Sequence, residues 1–481
     1  MKKLLIATLL ILNTVAVLAG KNDISIKGTI TNPLADSVTI SYAEYGENWL
    51  DFGMHVVNEK LDKNGNFLVT LPLPHNYTIV TIQNGEQATE LYASPGDKLA
   101  MTVDAADFDN TIKYTGIGMK PTVANFMAKY VLTYGLIDNF HSKAHKLNAK
   151  EPAEYEKAMN DLVQTQLDFL VENSAGLPQS FIEFWNAYYE YSKYNKMLSY
   201  PVMHEIVKKK SYDVGEIPKE NYEIAKKVPA KFNDEFMYIL PYRNYVDDYY
   251  DEIITIERKT KTEPQRKTAN AYEHYDKMLE LSRQNMPANS EEYVFASHIS
   301  TIMRHTPLAR TEQLFSTFNT RYKDSKYAKY LSVMIEQKKR LSVGAHAMDF
   351  TVVDADGNKV KLSELKGKVV YIDFWASWCG PCIAQFKHTK KIKEHFAGKD
   401  VVFVYVSIDE DAEAWEKARD KYELTGLHTR VDGWKAKVAE EYGVRGIPAY
   451  FLVDREGKFA TEDTPRPSNS EKLIEAIEAL L

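Results

Sequence analysis

Cysteine is scarce in this chain: Cys379 and Cys382 are the only two among 481 residues. In so long a chain, two cysteines three positions apart are not placed as ordinary core residues. A closed zinc site needs further ligands. No second Cys or His pair stands at a short spacing nearby, and His388 and His395 are not spaced as a pair with the cysteines. A reactive pair is therefore favoured, with a zinc half-site and an inert structural disulfide as the alternatives.

The sequence has no excess of positive charge. It contains 60 Lys and Arg against 67 Asp and Glu, which gives a net charge of −7. This balance gives no reason to expect a nucleic-acid partner, which would select a basic surface. The one basic run, Lys208–Lys210, is typical of a solvated helix end. The length indicates about three domains.

No segment beyond the N-terminus is long and apolar enough to cross a membrane. At the N-terminus, Lys2 and Lys3 precede the short apolar run Leu4–Leu12, and small residues follow up to Ala19. This pattern predicts a secretory signal peptide over residues 1–19, cleaved after Ala19. An uncleaved anchor is the alternative, but the apolar run is shorter than the ~20 residues of a membrane span. No cysteine stands near the cleavage position, so a lipid anchor is not expected.

The residues around the cysteines predict a strand, then the Cys-x-x-Cys motif, then a helix. Val369–Trp375 is a nearly continuous apolar run, broken only by Asp373, and it predicts a buried parallel strand. After Cys382, a Lys-rich helical pattern ends near Gly398, a suitable C-cap. Cys379 would then start the helix, where unpaired N–H groups and the helix dipole favour the thiolate that attacks disulfides.

The segment Phe374–Cys382 resembles the thioredoxin active site. Further motifs resemble those of the TlpA/ResA-like thiol–disulfide oxidoreductases of bacterial envelopes: Gly344-x-x-Ala347-x-Asp349-Phe350, Asp356-Gly357, Leu362–Lys368 and Gly446-Ile447-Pro448. The resemblance covers residues 341–481 and implies a thioredoxin fold with a helical insertion. Peroxiredoxins share the leading Asp-Phe and Leu-Ser segments but carry a Thr-x-x-Cys site, which this chain lacks.

The resemblance implies catalytic roles for three residues. Cys379 is expected to be the exposed nucleophile, and Cys382 the more buried resolving thiol. Asp373 matches the thioredoxin position whose carboxylate accepts a proton. Burial without an ion partner raises the pKa of a carboxyl group, which suits this role. The alternative is a strand-end Asp that hydrogen-bonds locally. Gly380 and Pro381 form the active-site loop, the dipeptide associated with a reducing potential near about −270 mV.

Three further residues are expected to contact the substrate. Pro448 corresponds by resemblance to the cis-proline that faces the dithiol. With Ile447 it leaves backbone groups to pair with an extended substrate segment. A trans turn proline is the alternative. Trp378 is expected to flank the Cys379 sulfur with an apolar face, whereas Trp375 is expected to pack behind the site.

Two positions depart from the thioredoxin-like pattern. Lys387 stands where such proteins often carry a helix-kinking proline, so we expect a straighter active-site helix with added positive potential. Tyr405 is the rough equivalent of a thioredoxin lysine on the strand beside the buried Asp. The proton path and the reduction potential therefore cannot be copied from thioredoxin.

The rest of the chain predicts two upstream modules. Residues 20–115 alternate with period two between turn signals, which predicts a small β-sandwich. Its motifs resemble the β-module that precedes thioredoxin domains in many Bacteroidetes envelope proteins. Residues 116–340 have helical spacing and predict an all-α region. Aromatic residues crowd positions 184–191; packing in a helical core is the favoured interpretation, and a substrate groove is the alternative. With the α/β thioredoxin fold of residues 341–481, the chain is predicted to be multidomain.

These features predict an exported thiol–disulfide oxidoreductase that reduces protein disulfides in the periplasm or cell envelope of a Gram-negative bacterium. Its expected partners are protein thiols and disulfides, with a membrane thiol relay as electron donor. We expect no cofactor beyond the redox-active disulfide Cys379–Cys382, no metal, no nucleic acid and no stable membrane insertion after signal cleavage. The alternatives are an envelope peptide- or component-binding protein with a local redox domain, and a thiol peroxidase-like antioxidant enzyme.

Overall fold

The structure is a computed structural model that describes residues 23–45, 52–72, 77–117, 120–211, 216–260, 271–303, 306–353 and 357–481. The signal peptide predicted over residues 1–19 lies outside this described part. The chain divides into two compact units, Met1–Val294 and Phe295–Leu481. Within the described ranges, no helix combines the length and the apolar character that a membrane span requires.

The first unit begins with two four-stranded sheets. Their strands are β1 (Ile24–Thr31), β2 (Ser37–Tyr45), β3 (Phe52–Lys60), β4 (Asn66–Leu71), β5 (Thr78–Asn84), β6 (Gln87–Ala93), β7 (Lys98–Asp104) and β8 (Lys113–Ile117). The strand orders are β4-β1-β7-β8 and β3-β2-β5-β6. The β1–β7 pair is parallel, and the other recorded pairs are antiparallel.

One apolar core joins these two sheets. Ile24 and Ile26 of β1 are buried and alternate with more exposed residues, while Ile40 of β2 belongs to the same buried cluster. The turn before β4 requires Gly65, because its φ is 75° and an added Cβ would lie 2.0 Å from the Ile30 carbonyl oxygen. Two sheets around one core are the arrangement that the period-two segments predict.

Helices fill most of the chain that follows, as the spacing predicts. They are α1 (Phe108–Thr111), α2 (Lys120–Tyr134), α3 (Ile137–Leu147), α4 (Pro152–Glu172), α5 (Gln179–Lys209), α6 (Tyr222–Ala225), α7 (Leu240–Thr260), α8 (Ala271–Asn285), α9 (Ala288–Ile302), α10 (Leu308–Arg321) and α11 (Ala328–Arg340).

The aromatic residues of positions 184–191 lie in a packed helical core. Trp185 and Tyr189 are buried. The Trp185 indole N–H donates to the Gln166 carbonyl oxygen at 3.1 Å, and the Tyr189 hydroxyl donates to the Tyr130 hydroxyl at 2.8 Å. For these two side chains the core interpretation is confirmed and the groove interpretation is wrong, because their polar atoms bond within the core.

The second unit contains one six-stranded sheet. Its strands are β9 (Thr351–Val353), β10 (Lys359–Lys361), β11 (Val369–Trp375), β12 (Val401–Ser407), β13 (Leu427–Arg430) and β14 (Ala449–Val453). Its later helices are α12 (Gly380–His395), α13 (Ala412–Lys421), α14 (Lys437–Glu441) and α15 (Ser470–Glu478). The strand order is β10-β9-β13-β12-β11-β14. Strands β11, β12 and β13 are parallel, and β14 is antiparallel to β11.

Strand β11 positions the cysteines. All seven of its residues are buried, and β12 pairs with it in parallel, so the predicted buried parallel strand is confirmed. The strand ends at Trp375 and α12 begins at Gly380. The loop between them therefore carries Cys379 at the carboxyl edge of the parallel strands, where α/β proteins usually place their sites.

The second unit begins before the predicted boundary at residue 341, and it includes α10 and α11. The Gln337 side-chain amide donates to the Glu440 carbonyl oxygen, and the Arg445 guanidinium donates to the Tyr330 hydroxyl at 2.8 Å. These contacts join residues over 100 positions apart, so they leave no local signal in the sequence. The limits of the three predicted domains therefore stay predictions.

Candidate active site

The two cysteines form a disulfide at the start of α12. Cys379 is the N-cap, and its Sγ accepts a hydrogen bond from the Cys382 N–H at 3.2 Å. Gly380 and Pro381 form the first turn, where the missing N–H of proline leaves no helical hydrogen bond unmade. The spacing thus brings the two sulfurs together as predicted. When the disulfide opens, the positive end of the helix favours a thiolate on Cys379.

Cys379 is buried, which contradicts the expected exposure of the nucleophile. Its side chain is 4% exposed and that of Cys382 is 1% exposed. Both belong to the apolar cluster that includes Trp375 and Phe386. The expectation of exposure came from the helix start alone, and it is wrong here because side chains around the loop cover the sulfurs. Cys382 is the more buried of the two, as expected.

Asp373 lies within β11 and is buried. Neither of its carboxyl oxygens has a hydrogen-bond partner among the described residues. Burial raises the pKa of this carboxyl from 3.8 to about 8. Asp373 is therefore mostly neutral at pH 7, and it can take up and release a proton in the neutral range. The alternative of local hydrogen bonding is not seen.

Two tyrosines flank Asp373 on the neighbouring strands. The β11–β12 register pairs it with Tyr405, and the β11–β14 register pairs it with Tyr450. Burial, followed by the Asp373 charge, raises the pKa of both hydroxyls. The Tyr450 hydroxyl is buried and has no hydrogen-bond partner in the described part of the chain. Tyr405 stands where the sequence placed it. Tyr450 was missed because β14 follows β13 in sequence but pairs with β11.

His428 extends this row by one strand. The β12–β13 register pairs it with Tyr405, and the two rings stack with centroids 5.0 Å apart and planes 10° apart. Burial, with a smaller effect of the Arg419 charge, lowers the pKa of the imidazole from 6.5 to about 4. His428 is therefore neutral at pH 7. A single histidine on a short strand has no sequence motif, so it was missed.

A groove of about 710 Å³ runs along one flank of α12. The lysines of α12 that line it are Lys387, Lys390 and Lys393. Burial lowers the pKa of Lys393 to about 8, and its Nζ lies 5.7 Å from the centroid of the Tyr405 ring. Lys387 thus lies on the active-site helix and lines this groove, and the added positive potential at the cysteines stays a prediction. The helix itself is continuous from Gly380 to His395.

The predicted substrate loop stands at the same edge of the sheet. The Ile447–Pro448 peptide bond is cis, as the resemblance implies, and both residues are partly exposed. Register pairs Ala449 with Phe374 near the end of β11. Pro448 therefore lies next to the strand end from which the cysteine loop departs.

A buried aspartate holds the cysteine loop. Asp409 accepts hydrogen bonds from the Ser377 N–H at 2.8 Å and the Ser377 hydroxyl at 2.7 Å. It also accepts from the Ser407 hydroxyl at 2.7 Å. The Arg430 guanidinium donates to the Asp409 carbonyl oxygen at 2.8 Å. Because Ser377 lies two residues before Cys379, these bonds fix the approach to the nucleophile. Asp409 was not predicted from the sequence, although it stands two residues after the buried strand β12, where α/β proteins often place functional residues.

Comparison with known proteins identifies relatives of the C-terminal region. The Redoxin family matches residues 342–476. The thiol–disulfide oxidoreductase ResA of Bacillus anthracis is 31% identical over 121 residues, which are 25% of this chain and 69% of that protein. ResA of Bacillus subtilis is 32% identical over 121 residues, which are 25% of this chain and 66% of that protein.

Solved structures give matches of the same extent. The thioredoxin domain of a thiol–disulfide oxidoreductase from Bacteroides vulgatus is 31% identical and covers 29% of this chain and 97% of its own, with a TM-score of 0.27. A thiol:disulfide interchange protein from Bacteroides sp. is 29% identical and covers 29% of this chain and 91% of its own, with a TM-score of 0.26. On the ResA sequence match, this chain belongs to the TlpA/ResA-like thiol–disulfide oxidoreductases of the thioredoxin-fold family.

Proposed function

We propose that this chain reduces disulfide bonds of exported polypeptides in the bacterial cell envelope, through a dithiol formed by Cys379 and Cys382. The observation that carries the proposal is the placement of Cys379 as the N-cap of α12, with Cys382 joined to it three residues later. The intervening Gly380 and Pro381 favour reduction, because this dipeptide occurs in thioredoxin, whose potential is near about −270 mV.

The reaction proceeds in two thiol–disulfide exchanges. The Cys379 thiolate attacks one sulfur of the client disulfide, a mixed disulfide forms, and the other client sulfur leaves as a thiolate and takes up a proton. Cys382 then loses its proton and attacks the Cys379 sulfur, which releases the second client thiol. The client gains two electrons and two protons, and the dithiol of the chain is oxidised to the Cys379–Cys382 disulfide.

Asp373 is the proposed proton acceptor for Cys382. The carboxyl is buried and has no hydrogen-bond partner among the described residues, so its proton is not held by a neighbouring side chain. A pKa of about 8 allows Asp373 to exchange protons in the range where a thiol ionises. Tyr405 and Tyr450 lie opposite Asp373 on the two neighbouring strands.

Trp378, Ile447 and Pro448 are the proposed contacts for the client. Trp378 directly precedes Cys379 and is 60% exposed, so its indole is available to contact a client that approaches the sulfur. The exposed segment around Pro448 supplies backbone groups for an extended client segment. Both elements border the loop that holds the cysteines.

The compartment, the donor and the upstream modules complete the proposal. Signal peptide 1–19 exports the chain to the envelope, where oxidising conditions create disulfides to reduce. The Cys379–Cys382 disulfide is the redox group, and the proposal includes no further cofactor. Because each turnover leaves this disulfide oxidised, a membrane thiol relay must return the electrons. Residues 341–481 carry out the chemistry, and the modules at 20–115 and 116–340 select the client.

A binding role for the upstream modules is a second candidate function. The unit that ends at Val294 contains no cysteine, so it supplies no thiol to the reaction. It could hold an envelope peptide or component on which the dithiol acts locally, and tethering would raise the local concentration of that cargo. A peroxidase-like role has no comparable support, because the Thr-x-x-Cys motif is missing.

Insulin reduction by the full chain, with dithiothreitol as the electron source, tests the proposed function. The wild type should accelerate the precipitation of reduced insulin B chain, and Cys379→Ala should abolish the acceleration because the attacking sulfur is gone. Ser342→Ala is a matched control outside the cysteine loop. Equal rates for wild type and Cys379→Ala would contradict the proposal.

A further inference from the structure

Two exposed tryptophans stand together beside the disulfide. The side chains of Trp378 and Trp434 are 60% and 41% exposed. Their ring centroids are 6.3 Å apart, with an angle of 53° between the planes. Trp378 precedes Cys379, whereas Trp434 lies in the segment between β13 and α14. In the described part of the chain, every other tryptophan is buried or half-buried.

Hydrogen bonds fix the two segments that carry these indoles to the same residue. The Asp409 carboxylate accepts from the backbone and the hydroxyl of Ser377, directly before Trp378. The Asp409 carbonyl oxygen accepts from Arg430, which also donates to the Asp432 carboxylate at 2.7 Å, two residues before Trp434. Three partly buried hydrogen bonds of Asp409 and one exposed ion pair between Arg430 and Asp432 therefore connect the two segments that carry the indoles.

The backbone under Trp434 is held equally closely. Gly433 has a φ of 71°, and an added Cβ would lie 2.7 Å from a carboxylate oxygen of Glu410. The Val431 N–H donates to the Ser407 carbonyl oxygen at 2.8 Å. A tight turn against the neighbouring loop thus directs the Trp434 side chain outward. Exposure of a second large indole to water beside the reaction site is unfavourable in free energy. Exposed clusters of aromatic side chains of this kind are typical of binding surfaces.

We infer that Trp434 and Trp378 together form an aromatic surface that binds a large apolar side chain of the client, two or three residues from its reacting cysteine. This inference rests on the proposed function. In the mixed disulfide, the client sulfur must lie about 2 Å from the Cys379 sulfur. An extended client rises about 3.3 Å per residue, so its second or third residue lies about 7–10 Å away. Trp378 directly precedes Cys379, and the Trp434 ring centroid lies 6.3 Å from that of Trp378, a separation that an extended client covers in about two residues.

The chemistry of the surface determines which side chain it accepts. Indole faces and edges pack well against aromatic and aliphatic groups, with ring centroids about 4.5–7 Å apart. The segment around Ile447 and Pro448 can bind client backbone of any sequence, so it offers little selection among side chains. The pair of Trp378 and Trp434 therefore supplies the side-chain preference of the site.

The test uses the full chain and three disulfide probes. Two are ten-residue peptides that are identical except for Phe or Ser two residues on either side of a single cysteine, which carries a thionitrobenzoate reporter as a mixed disulfide. The third is hydroxyethyl disulfide, too small to span both indoles. Each turnover splits the probe disulfide into two thiols and closes Cys379–Cys382, which dithiothreitol then reopens. The variants are Trp434→Ala, Trp434→Phe and, as a control, Val343→Ala, whose side chain is 54% exposed.

The readout is kcat/KM for each peptide divided by kcat/KM for hydroxyethyl disulfide. In the wild type, this ratio should be about tenfold higher for the Phe peptide than for the Ser peptide. Trp434→Ala should remove most of that preference through a higher KM, Trp434→Phe should restore much of it, and Val343→Ala should leave it unchanged. Equal wild-type ratios for the two peptides, or an unchanged preference in Trp434→Ala, would overturn the inference. Failure of the wild type on all three probes would instead contradict the proposed function.

Discussion

Two regions of the molecule, the core around Tyr130 in the first unit and the strands around Asp373 in the second, treat buried polar groups differently. In the first unit, the Tyr130 hydroxyl donates to Gln166 Oε1 at 2.7 Å and accepts from the Tyr189 hydroxyl at 2.8 Å. In the second unit, the Asp373 carboxyl and the Tyr450 hydroxyl are buried with no hydrogen-bond partner among the described residues. Buried polar groups are nearly always bonded, because leaving one unpaired costs about 1–3 kcal/mol.

This contrast separates packing from chemistry within one chain. A saturated network such as that around Tyr130 fixes one arrangement of the core and leaves no proton free to move. An unpaired carboxyl such as Asp373 weakens the fold, but its raised pKa allows it to exchange a proton near neutral pH. The unpaired group stands in the strand that leads to the cysteines, which is where proton exchange is needed.

The largest expected effect comes from Cys382→Ala, which should stop turnover and leave the mixed disulfide unresolved. Without the resolving sulfur, Cys379 stays bonded to its client. Non-reducing gels of the full chain, purified from an envelope extract, should show covalent adducts that dithiothreitol removes. Cys379→Ala is the control. Adducts that persist in that control would show that the two roles are assigned backwards.

The next effect concerns Asp373→Asn, which should slow insulin reduction roughly 10- to 100-fold at pH 7 by removing the proton acceptor. In the wild type, resolution should accelerate as pH rises through about 8, where the carboxyl becomes charged. The variant should lose this inflection. A pH–rate profile with the same inflection in both proteins would assign the proton to another group.

The same substitution should change stability in a pH-dependent way. The folded Asp373 keeps a proton that the unfolded chain releases above about pH 4. Its contribution therefore makes the free energy of unfolding fall between about pH 4 and pH 8, by up to about 1.4 kcal/mol per pH unit. Denaturant unfolding at pH 5 and pH 8 should show a steeper loss in the wild type than in Asp373→Asn. Asp463→Asn, at an exposed position of the same unit, should keep the wild-type slope.

A smaller effect tests where the second unit begins. A fragment of residues 341–481 should still reduce insulin, since the cysteine loop and Asp373 are intact. Its free energy of unfolding should be about 1–3 kcal/mol lower than that of a fragment of residues 306–481, with a lower denaturant midpoint. The reason is that α11 and its bonds to Glu440 and Arg445 are missing. Equal midpoints would show that α10 and α11 do not stabilise the sheet.

The smallest expected effect is a matched pair of hydroxyl deletions, one in each unit. Tyr130→Phe should cost about 1–2 kcal/mol, because it strands Gln166 and the Tyr189 hydroxyl. Tyr450→Phe should be neutral or slightly stabilising, because its hydroxyl has no partner among the described residues. Denaturant midpoints of both variants, at constant pH, provide the comparison. Equal losses would remove the distinction drawn between the region around Tyr130 and the region around Asp373.

Local patterns were sufficient to predict the frame of the active site. The apolar run before the cysteines predicted β11, and the single carboxylate inside it predicted a buried Asp373. The Cys-x-x-Cys spacing predicted the sulfur pair at the start of α12. These features depend on neighbours within about ten residues, so periodicity and residue type contain the necessary information.

Features that depend on the order of strands or on distant packing could not be predicted. Tyr450 lies opposite Asp373 only because β14 pairs with β11 at the edge of the sheet, although β12 and β13 come between them in the chain. The burial of Cys379 depends on how the surrounding aromatic side chains pack, which a helix-start argument does not contain. The contact between Tyr330 and Arg445 crosses the domain boundary that the sequence predicts at residue 341.

The bonds of Asp409 have a consequence for how the active-site edge opens. Loops usually exchange their amide hydrogens through independent local openings of low free energy. Here the Ser377 amide and the Arg430 side chain both bond to Asp409, so releasing either loop disturbs the anchor of the other. The two loops should therefore behave as one cooperative unit in hydrogen exchange, and the Ser377 amide should report on both. The two loops at the edge of the sheet that admits the client should thus open together and not one at a time.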